Sequence, residues 1–335
     1  MTPACVRRRV GRAGMVLALT ALACGGEGNA RVTVPAGATM REAADSLQAA
    51  GIVGSARAFR FYAKLTGRDR SIKPGLYILD RAASWNAVVD ALVAGKGIVL
   101  TVTIPEGWDI KTMVPVIAET MQVPAATLDS ATQDTALIRQ LGIPTATLEG
   151  YLFPETYLIP EGSGALPIVK RLVSEFERRW KPDWNAQLER LGMTRHQVMT
   201  LASIIEKEAR VASERPTISA VYHNRLKRGM LLQADPTILY ALGRHAPRVL
   251  YRDLEVESPY NTYRHVGLPP GPIASPGAAS IEAALFPADV PYLYFVAHPD
   301  GHHEFRTSFE EHSRAITSIK REQREQQRKK PANPK

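Results

Sequence analysis

The residues best suited to chemistry lie in the segment Leu201–Arg210, which reads L-A-S-I-I-E-K-E-A-R. Glu206 follows the apolar Ile205 directly, so its carboxyl group is expected on the flank of a buried helix face, partly removed from water. Partial desolvation keeps a carboxylic acid protonated near neutral pH, as a general acid requires. The alternative is that Glu206 and its charged neighbours form only a solvated helix surface. Glu208, about 200° further round an ideal helix, is expected to be dispensable.

The helix that would position Glu206 has a recognisable start. Thr194 can cap its N-terminus, and Gln197, three residues later, can complete a capping box. Apolar residues then recur at helical spacing and predict one buried stripe: Val198, Leu201, Ala202 and Ile205.

Three further segments carry aromatic and polar side chains that suit a sugar-binding cleft, because aromatic faces stack on sugar rings and amides pair with acetamido groups. The segments are Leu148–Pro160, Leu232–Thr237 and Pro259–Tyr263. They supply the candidate glycan-binding residues Glu155, Gln233, Asp235, Tyr260, Asn261 and Tyr263. Each has a structural alternative: Leu148–Pro160 can be a core-facing turn, and Asp235 before a proline can simply cap a helix.

The segment Gly267–Gly277, G-L-P-P-G-P-I-A-S-P-G, is too rich in proline and glycine for a helix or a strand. We expect a long ordered loop, which more often serves function than packing.

No cofactor or metal is expected. Phosphate-binding, dinucleotide-binding and nucleophile-elbow motifs are missing from the sequence. The histidine-rich stretch at His298, His302, His303 and Glu304 falls at a predicted hairpin turn and has no helix-borne zinc spacing.

The net charge of +9 is concentrated at the two ends of the chain. Four arginines precede the first carboxylate, and the last sixteen residues hold seven basic side chains against two acidic ones. Residues 13–319 are therefore formally neutral, and a nucleic-acid partner is not expected, since such a groove needs positive charge on the folded body.

The N-terminus resembles an export signal. An arginine cluster is followed by the apolar run Ala13–Ala23, which is short for a membrane span, and then by Cys24. Cys24 is a candidate lipidation site, and an uncleaved apolar anchor is the alternative. We expect an exported cell-envelope protein that is tethered to a membrane at its N-terminus. The favoured location is the inner membrane, with the protein facing the periplasm. Cys5 is the only other cysteine, so the body has no disulfide.

The predicted fold class is α+β, with a small α/β module followed by a mixed helical/β catalytic domain. The expected divisions are a leader at 1–24, a first unit at 31–104, a connecting region at 105–192, a catalytic domain at 193–319 and a basic, disordered tail at 320–335. The order of short strands and paired helices in the first unit resembles a LysM-like glycan-binding domain. Trp85 in that unit could stack on a sugar, although a core position is the commoner role.

Several long motifs occur in one order: A-S-I-I-E-K-E, A-S-E-R-P, N-R-L-K-R-G-M-L-L-Q-A-D-P-T, Y-N-T-Y and G-L-P-P-G-P-I-A-S-P-G. Together they resemble the YceG/MltG family of endolytic murein transglycosylases. The resemblance implies a lyase that cleaves N-acetylmuramic acid–N-acetylglucosamine bonds within peptidoglycan strands, leaves 1,6-anhydromuramyl ends and trims or terminates nascent strands. It maps the catalytic glutamate onto Glu206 and implies cell-wall synthases (penicillin-binding proteins) as partners. The short leader ending in Cys24 departs from the family's longer membrane anchor.

A lytic transglycosylase needs only one carboxyl group, because the sugar's own 6-hydroxyl replaces water as the nucleophile. Two alternatives stay open. A hydrolytic muramidase would use Glu206 with Glu155 or Asp235 as a second carboxylate. A non-catalytic scaffold would bind glycan strands without cleaving them.

Overall fold

The computed structural model describes residues 28–329, except 36, 96, 245, 247 and 248, with side chains described as far as residue 322. The chain divides into two compact units, residues 1–97 and residues 98–335. The predicted leader and the lipidation candidate Cys24 lie outside the described residues. Within the described residues, no helix combines the length and the apolar character needed to cross a bilayer.

The first unit contains, in chain order, β1 (Asn29–Val34), α1 (Met40–Ala49), α2 (Ala56–Leu65), β2 (Gly75–Asp80) and α3 (Trp85–Ala94). The strands β1 and β2 pair antiparallel, with Asn29 opposite Asp80. Helix α1 starts at a capping box made by Thr39 and Glu42, a local signal that stabilises its first turn.

The core of the first unit is apolar and aromatic. Phe59 and Tyr77 are fully buried in it. Trp85 packs edge-to-face on Phe59, with ring centroids 5.9 Å apart, and so contributes to packing. The strand that follows α3, Val99–Thr103, pairs inside the second unit, so the first compact unit ends at residue 97, before the expected division at residue 104.

The second unit contains two antiparallel strand pairs among its described residues: β3 (Val99–Thr103) with β4 (Thr156–Pro160), and β5 (Tyr294–Ala297) with β6 (His303–Arg306). Its helices are α4 (Ile110–Met121), α5 (Ala125–Thr132), α6 (Thr135–Gln140), α7 (Ala165–Arg179), α8 (Asp183–Leu191), α9 (Arg195–Glu208), α10 (Arg215–Lys227), α11 (Asp235–Ala241), α12 (Ala278–Leu285) and α13 (Phe309–Lys329). The α+β class is therefore confirmed.

Three differences from the sequence-based expectation concern this unit. The segment Leu148–Pro160, for which the sequence left a cleft wall and a core-facing turn both open, ends in strand β4. Asp235 is the first residue of α11 and makes no capping hydrogen bond, so the expected structural role for this side chain is wrong. Helix α13 continues through residues 320–329, which belong to the basic tail for which disorder was expected.

Helix α9 lies at the centre of the second unit. It begins after Thr194 with the predicted capping box to Gln197. Every residue from Val198 to Ile205 is buried, so the helix is enclosed on all sides and has no single apolar stripe. Its last turn, residues 206–208, emerges from the core and carries the charged residues of the motif.

Candidate active site

The last turn of α9 directs three charged side chains to three different surroundings. Lys207 is exposed, and its Nζ donates a hydrogen bond to the carbonyl oxygen of Gly107 at 3.1 Å. Glu206 and Glu208 are about 200° apart around the helix axis and have different partners. These two carboxyl groups are therefore candidates for different roles.

Glu208 is half-buried and lines a cavity of about 680 Å³. Burial raises the pKa of its carboxyl group to about 7, and the negative charge of Asp235 acts in the same direction. The hydroxyl of Tyr222, on α10, donates a hydrogen bond to Oε1 of Glu208 at 3.0 Å and opposes part of that rise. Glu208 is also the last residue of α9, where the negative end of the helix dipole disfavours a second negative charge. A carboxyl group that titrates near neutrality is suited to both giving and taking a proton.

This cavity, called here the central cavity, has the size of a typical ligand site. Its lining includes aliphatic side chains and backbone. The charged and aromatic residues that line it include Asp109, Lys207, Glu208, Arg210, Asp235 and Tyr240. Side chains of both signs suit a polar, hydroxyl-rich ligand such as a glycan.

Asp235 lies in the central cavity with Glu208, so one of the predicted binding residues is brought to the site. The hydroxyl of Tyr263, another predicted residue, donates a hydrogen bond to Oδ1 of Asp235. Gln233 is exposed and adopts a left-handed backbone conformation with φ of 50°, which is uncommon for a residue other than glycine. Backbone strain of this kind persists where surrounding contacts enforce it, often near functional sites. Here Thr262 supplies the enforcing contacts. Its carbonyl oxygen accepts a hydrogen bond from Gln233 N, and its Oγ1 accepts one from Ala234 N.

Glu206 lies beside the wall of the central cavity, because a Cβ at the cavity-lining Gly107 would stand 3.6 Å from Cγ of Glu206. Only 7% of its side chain is exposed. Its Oε2 accepts a hydrogen bond from the backbone N–H of Gly277 at 3.0 Å, and its Oε1 lies 3.5 Å from Nη2 of Arg215. The carboxylate is thus held by two internal partners.

The loop Gly267–Gly277 lacks helix and strand, as the sequence predicted, and it packs along α9. Residues 271–277 are buried. Three side chains of α9 contact its backbone: His196 Nε2 donates to Pro270 O at 2.8 Å, Ser203 Oγ accepts from Ile273 N at 3.0 Å, and Glu206 accepts from Gly277 N. Because Ile273 also lines the central cavity, the loop is a fixed wall of that cavity.

Two predicted binding residues are not available to a ligand in the central cavity. The carboxylate of Glu155 forms an ion pair with Arg179 and is not among the cavity-lining residues. Asn261 is fully buried, and its Nδ2 donates to Leu254 O and Val256 O while its Oδ1 accepts from Tyr263 N. Asn261 therefore stabilises its own loop.

Tyr260 is not among the residues that line the central cavity, but it contacts one that is. Its ring packs against that of Tyr240, with centroids 4.9 Å apart, and Tyr240 lines the central cavity. The predicted tyrosine thus supports the wall of the site.

The histidines of the β5–β6 hairpin each contact a different carboxylate. His298 contacts Glu304 at 3.0 Å, His302 contacts Asp300, and the buried His303 contacts Glu214 at 2.7 Å. Among the residues that the structure describes, no group of three or more His, Cys, Asp or Glu side chains could hold a metal ion.

Sequence reasoning missed Tyr222, Tyr240 and the importance of Glu208. Glu208 belongs to the same motif as Glu206, but the sequence does not show which one faces a cavity. Glu106 was also missed: burial and the nearby charge of Glu206 raise the pKa of its carboxyl group, whereas Arg215 lowers it. No sequence signal places Glu106 beside a helix that begins about ninety residues later.

Comparison with known proteins places these features in a family. The YceG-like family model matches residues 32–318. The chain is 34% identical over 299 residues to a Bacillus subtilis protein named endolytic murein transglycosylase, and the alignment covers 85% of the chain and 83% of that protein. It is 29% identical over 317 residues to a Streptococcus pneumoniae protein of the same name, of which the alignment covers 57%.

A solved structure also supports membership of this family. The 2.6 Å crystal structure of a putative YceG-like protein from Listeria monocytogenes matches with a TM-score of 0.60 and 33% identity, covering 85% of this chain and 98% of that one. The family match spans most of the chain, including α9, the central cavity and the Gly267–Gly277 loop. The chain therefore belongs to the YceG-like family.

Proposed function

We propose that this protein is an endolytic murein transglycosylase and that Glu206 is its general acid and base. Family membership and the names of the relatives support the activity. The observation that carries the role of Glu206 is its position: its carboxyl group stands in the last turn of α9, where the helix leaves the core, and it lies beside the wall of the central cavity at Gly107.

The proposed reaction breaks the bond between N-acetylmuramic acid and N-acetylglucosamine inside a glycan strand. Protonated Glu206 donates its proton to the glycosidic oxygen as that bond breaks. The resulting carboxylate takes a proton from the 6-hydroxyl of the muramyl sugar, whose oxygen attacks the anomeric carbon and closes the 1,6-anhydro ring. Because the nucleophile is part of the substrate, its effective concentration is high and water can be outcompeted.

Glu208 is the competing candidate in the same motif. Its carboxyl group lines the central cavity and has a pKa of about 7, which suits a group that gives and takes a proton. Glu206 is preferred because the family resemblance maps the acid onto it and because Gly277 N–H and Arg215 hold its carboxylate in place. Glutamine variants of the two residues decide between them.

Asp235 supplies a second carboxylate in the central cavity. Its negative charge would stabilise the positive charge that develops at the anomeric carbon. The same carboxylate could instead activate a water molecule, which would give a hydrolytic muramidase. Glu155, the other carboxylate considered for that role, is paired with Arg179 outside the cavity.

We further propose that the first unit is a LysM-like glycan-binding module and that the N-terminus tethers the protein in the cell envelope. The order β1–α1–α2–β2 with an antiparallel strand pair supports the LysM resemblance. The arginine cluster, apolar run and Cys24 support the tether. Cell-wall synthases are the expected partners, because an enzyme that cuts nascent strands acts where they are made.

The experiment that tests the activity is digestion of purified peptidoglycan by the full-length protein, followed by mass spectrometry of the products. Anhydro-ended fragments, one water lighter than reducing-end fragments, are expected. Reducing ends alone would establish the muramidase alternative. Intact strands would leave the non-catalytic scaffold, provided that circular dichroism shows a folded protein.

A further inference from the structure

Arg210 differs from the other charged side chains that line the central cavity. Within the part of the chain that the structure describes, its guanidinium group forms no hydrogen bond and no ion pair. We propose that Arg210 forms a carboxylate-binding subsite at the rim of the central cavity, and that its ligand is a carboxylate of the peptide side chain carried by a peptidoglycan strand. This inference rests on the proposed function, because it assigns a further part of the same substrate.

The carboxylates that line the cavity each have a partner inside the protein. Asp109 Oδ1 accepts a hydrogen bond from the backbone of α4 at 2.8 Å. Glu208 accepts one from the hydroxyl of Tyr222. Asp235 accepts one from the hydroxyl of Tyr263. These contacts direct the three carboxylates to groups other than the Arg210 guanidinium.

The other cations of the lining also have partners. Lys207 Nζ donates to the carbonyl oxygen of Gly107 at 3.1 Å, and Arg244 forms an ion pair with Asp253. Arg210 is therefore the cation of the described lining whose full set of donors is available to a ligand. An arginine side chain offers five N–H donors in a planar fork that matches a carboxylate.

The side chain of Arg210 is held at its base and is open to solvent at its tip. Arg210 follows the end of α9 by two residues and is exposed. Its aliphatic part lies against the turn of the β5–β6 hairpin, since a Cβ at Gly301 would stand 3.5 Å from both Cβ and Cδ of Arg210. Burial raises the pKa of Glu208, and the positive charge of Arg210 is among the groups that oppose this rise. The charge of Arg210 is thus felt inside the cavity.

The chemistry of the substrate identifies the anion. The repeating N-acetylated sugars of a glycan strand offer hydroxyl and amide groups, which carry no charge to match a guanidinium. The peptide attached to each muramyl sugar carries free carboxylates. The scissile bond belongs to a muramyl sugar, and Arg210 follows the proposed acid Glu206 by four residues at the same end of α9. A peptide on a sugar bound in the cavity is therefore the expected source of the carboxylate.

The test compares two forms of uncrosslinked peptidoglycan strands as substrates of the full-length protein. One form is native, and in the other the peptide carboxylates have been converted to amides with carbodiimide and ammonia. The wild type should have a kcat/KM about fivefold higher on the native form, the factor expected for an ion pair at a solvent-accessible rim. Arg210→Gln should cleave both forms at the lower rate. Because each ratio compares two substrates on one protein, an effect of Arg210 on the pKa of Glu208 cancels.

Two variants control for loss of positive charge alone and for folding defects. Arg210→Lys keeps a cation and the aliphatic contact with Gly301, so it should retain most of the preference for the native form. Arg228→Gln removes an exposed cation just after α10 that does not line the central cavity, and it should show the ratio of the wild type. A ratio that falls equally in Arg210→Gln and Arg228→Gln would reduce the effect to net charge and overturn the subsite.

A third substrate separates the two carboxylates that a muramyl sugar can present. Strands whose peptides have been removed by an amidase carry only the lactyl carboxylate of the sugar itself. Arg210→Gln should equal the wild type on these strands. A defect there as large as on peptide-bearing strands would assign the lactyl carboxylate as the ligand and overturn the peptide as its source.

An unchanged preference for native strands in Arg210→Gln would overturn the inference outright. Failure of the wild type to cleave any of the substrates would contradict the proposed function instead. The subsite is then tested without turnover, by measuring the Kd of native and amidated strands for Glu206→Gln and for Glu206→Gln/Arg210→Gln. Only the first of these two proteins should prefer native strands.

Discussion

The hydroxyl of Tyr222 lies 3.0 Å from Oε1 of Glu208, so a fully buried side chain from one helix orients the last carboxyl group of another. Burial and this hydrogen bond have opposing effects on the protonation of Glu208. Burial holds the proton on Glu208 near neutral pH, whereas the hydrogen bond from Tyr222 stabilises the carboxylate that forms once the proton has left. Glu208 therefore changes the charge of the central cavity as it titrates near neutral pH, two residues from the proposed acid Glu206.

The first prediction concerns Tyr222→Phe. Removing the donor removes an interaction that lowers the pKa of Glu208, so this pKa should rise, and the loss of activity that accompanies a negative charge on Glu208 in the central cavity should move to higher pH. The measurement is the pH dependence of kcat for strand cleavage between pH 5 and about pH 9. Tyr251→Phe, at a side chain that is 90% exposed, is the matched control. A high-pH limb that stays in place or moves to lower pH would contradict the role of Tyr222.

The second prediction concerns Glu149, a buried carboxyl group that accepts a hydrogen bond from Ile110 N. Burial raises its pKa to about 8, above the value of about 4.3 expected for an unfolded chain. Between these values the folded state binds more protons, so the free energy of unfolding should fall as pH rises from about 5 to about 8.

Glu149→Gln should remove that part of the pH dependence, which is on the order of 4 kcal/mol because one pKa unit corresponds to about 1.4 kcal/mol. Urea unfolding of both proteins at pH 5, 7 and 9 measures it. At pH 9 the variant should be more stable than the wild type, and the difference should shrink at pH 5. Parallel pH dependences would show that Glu149 is ionised throughout this range.

The third prediction tests the packing of the Gly267–Gly277 loop. A Cβ at Gly150 would lie 2.4 Å from Cβ of the buried Pro272, whereas a Cβ at Gly142 would meet nothing within 4 Å. Both glycines have positive φ, 84° and 64°, so alanine introduces backbone strain at both. Gly150→Ala should therefore lower the free energy of unfolding by about 1–3 kcal/mol more than Gly142→Ala. Equal losses in urea unfolding would mean that the loop does not pack on Gly150.

The fourth prediction concerns Asn261→Ala. The variant would leave the carbonyls of Leu254 and Val256 without their amide donor, at a cost of about 1–3 kcal/mol in the free energy of unfolding. The folded fraction should bind glycan with an unchanged KM, because the Asn261 side chain is fully buried. A variant of wild-type stability with a raised KM would restore the glycan-binding role that the sequence suggested.

The start of α9 and the order of its loop are predictable because they rest on local signals. Thr194 and Gln197 form a capping box within four residues. The proline and glycine content of Gly267–Gly277 excludes regular structure without any knowledge of what the loop contacts. Helix α3, which begins after the capping Ser84, is predicted with the same bounds for the same reason.

The surroundings of Glu206 and Glu208 are not predictable from the sequence. A helix with one apolar stripe has a definable flank, but α9 is buried on all sides, so the environment of its last turn depends on other segments. Those segments are distant in sequence: Gly277 holds Glu206, and Tyr222 holds Glu208. The pairing of β3 with β4 likewise joins strands more than fifty residues apart, which moved the predicted boundary of the first unit.

The most direct test of the central claim compares Glu208→Gln and Glu206→Gln as full-length proteins acting on purified peptidoglycan. Each variant is first checked for folding by circular dichroism, and release of anhydro-ended fragments is then followed by mass spectrometry. Loss of a general acid typically lowers the rate by about 10²–10⁴-fold, so Glu206→Gln should release almost no fragments at any pH. Glu208→Gln should remain largely active, because its carboxyl group is not the one that transfers the proton. A folded Glu206→Gln protein that cleaves at a rate close to that of the wild type would contradict the account.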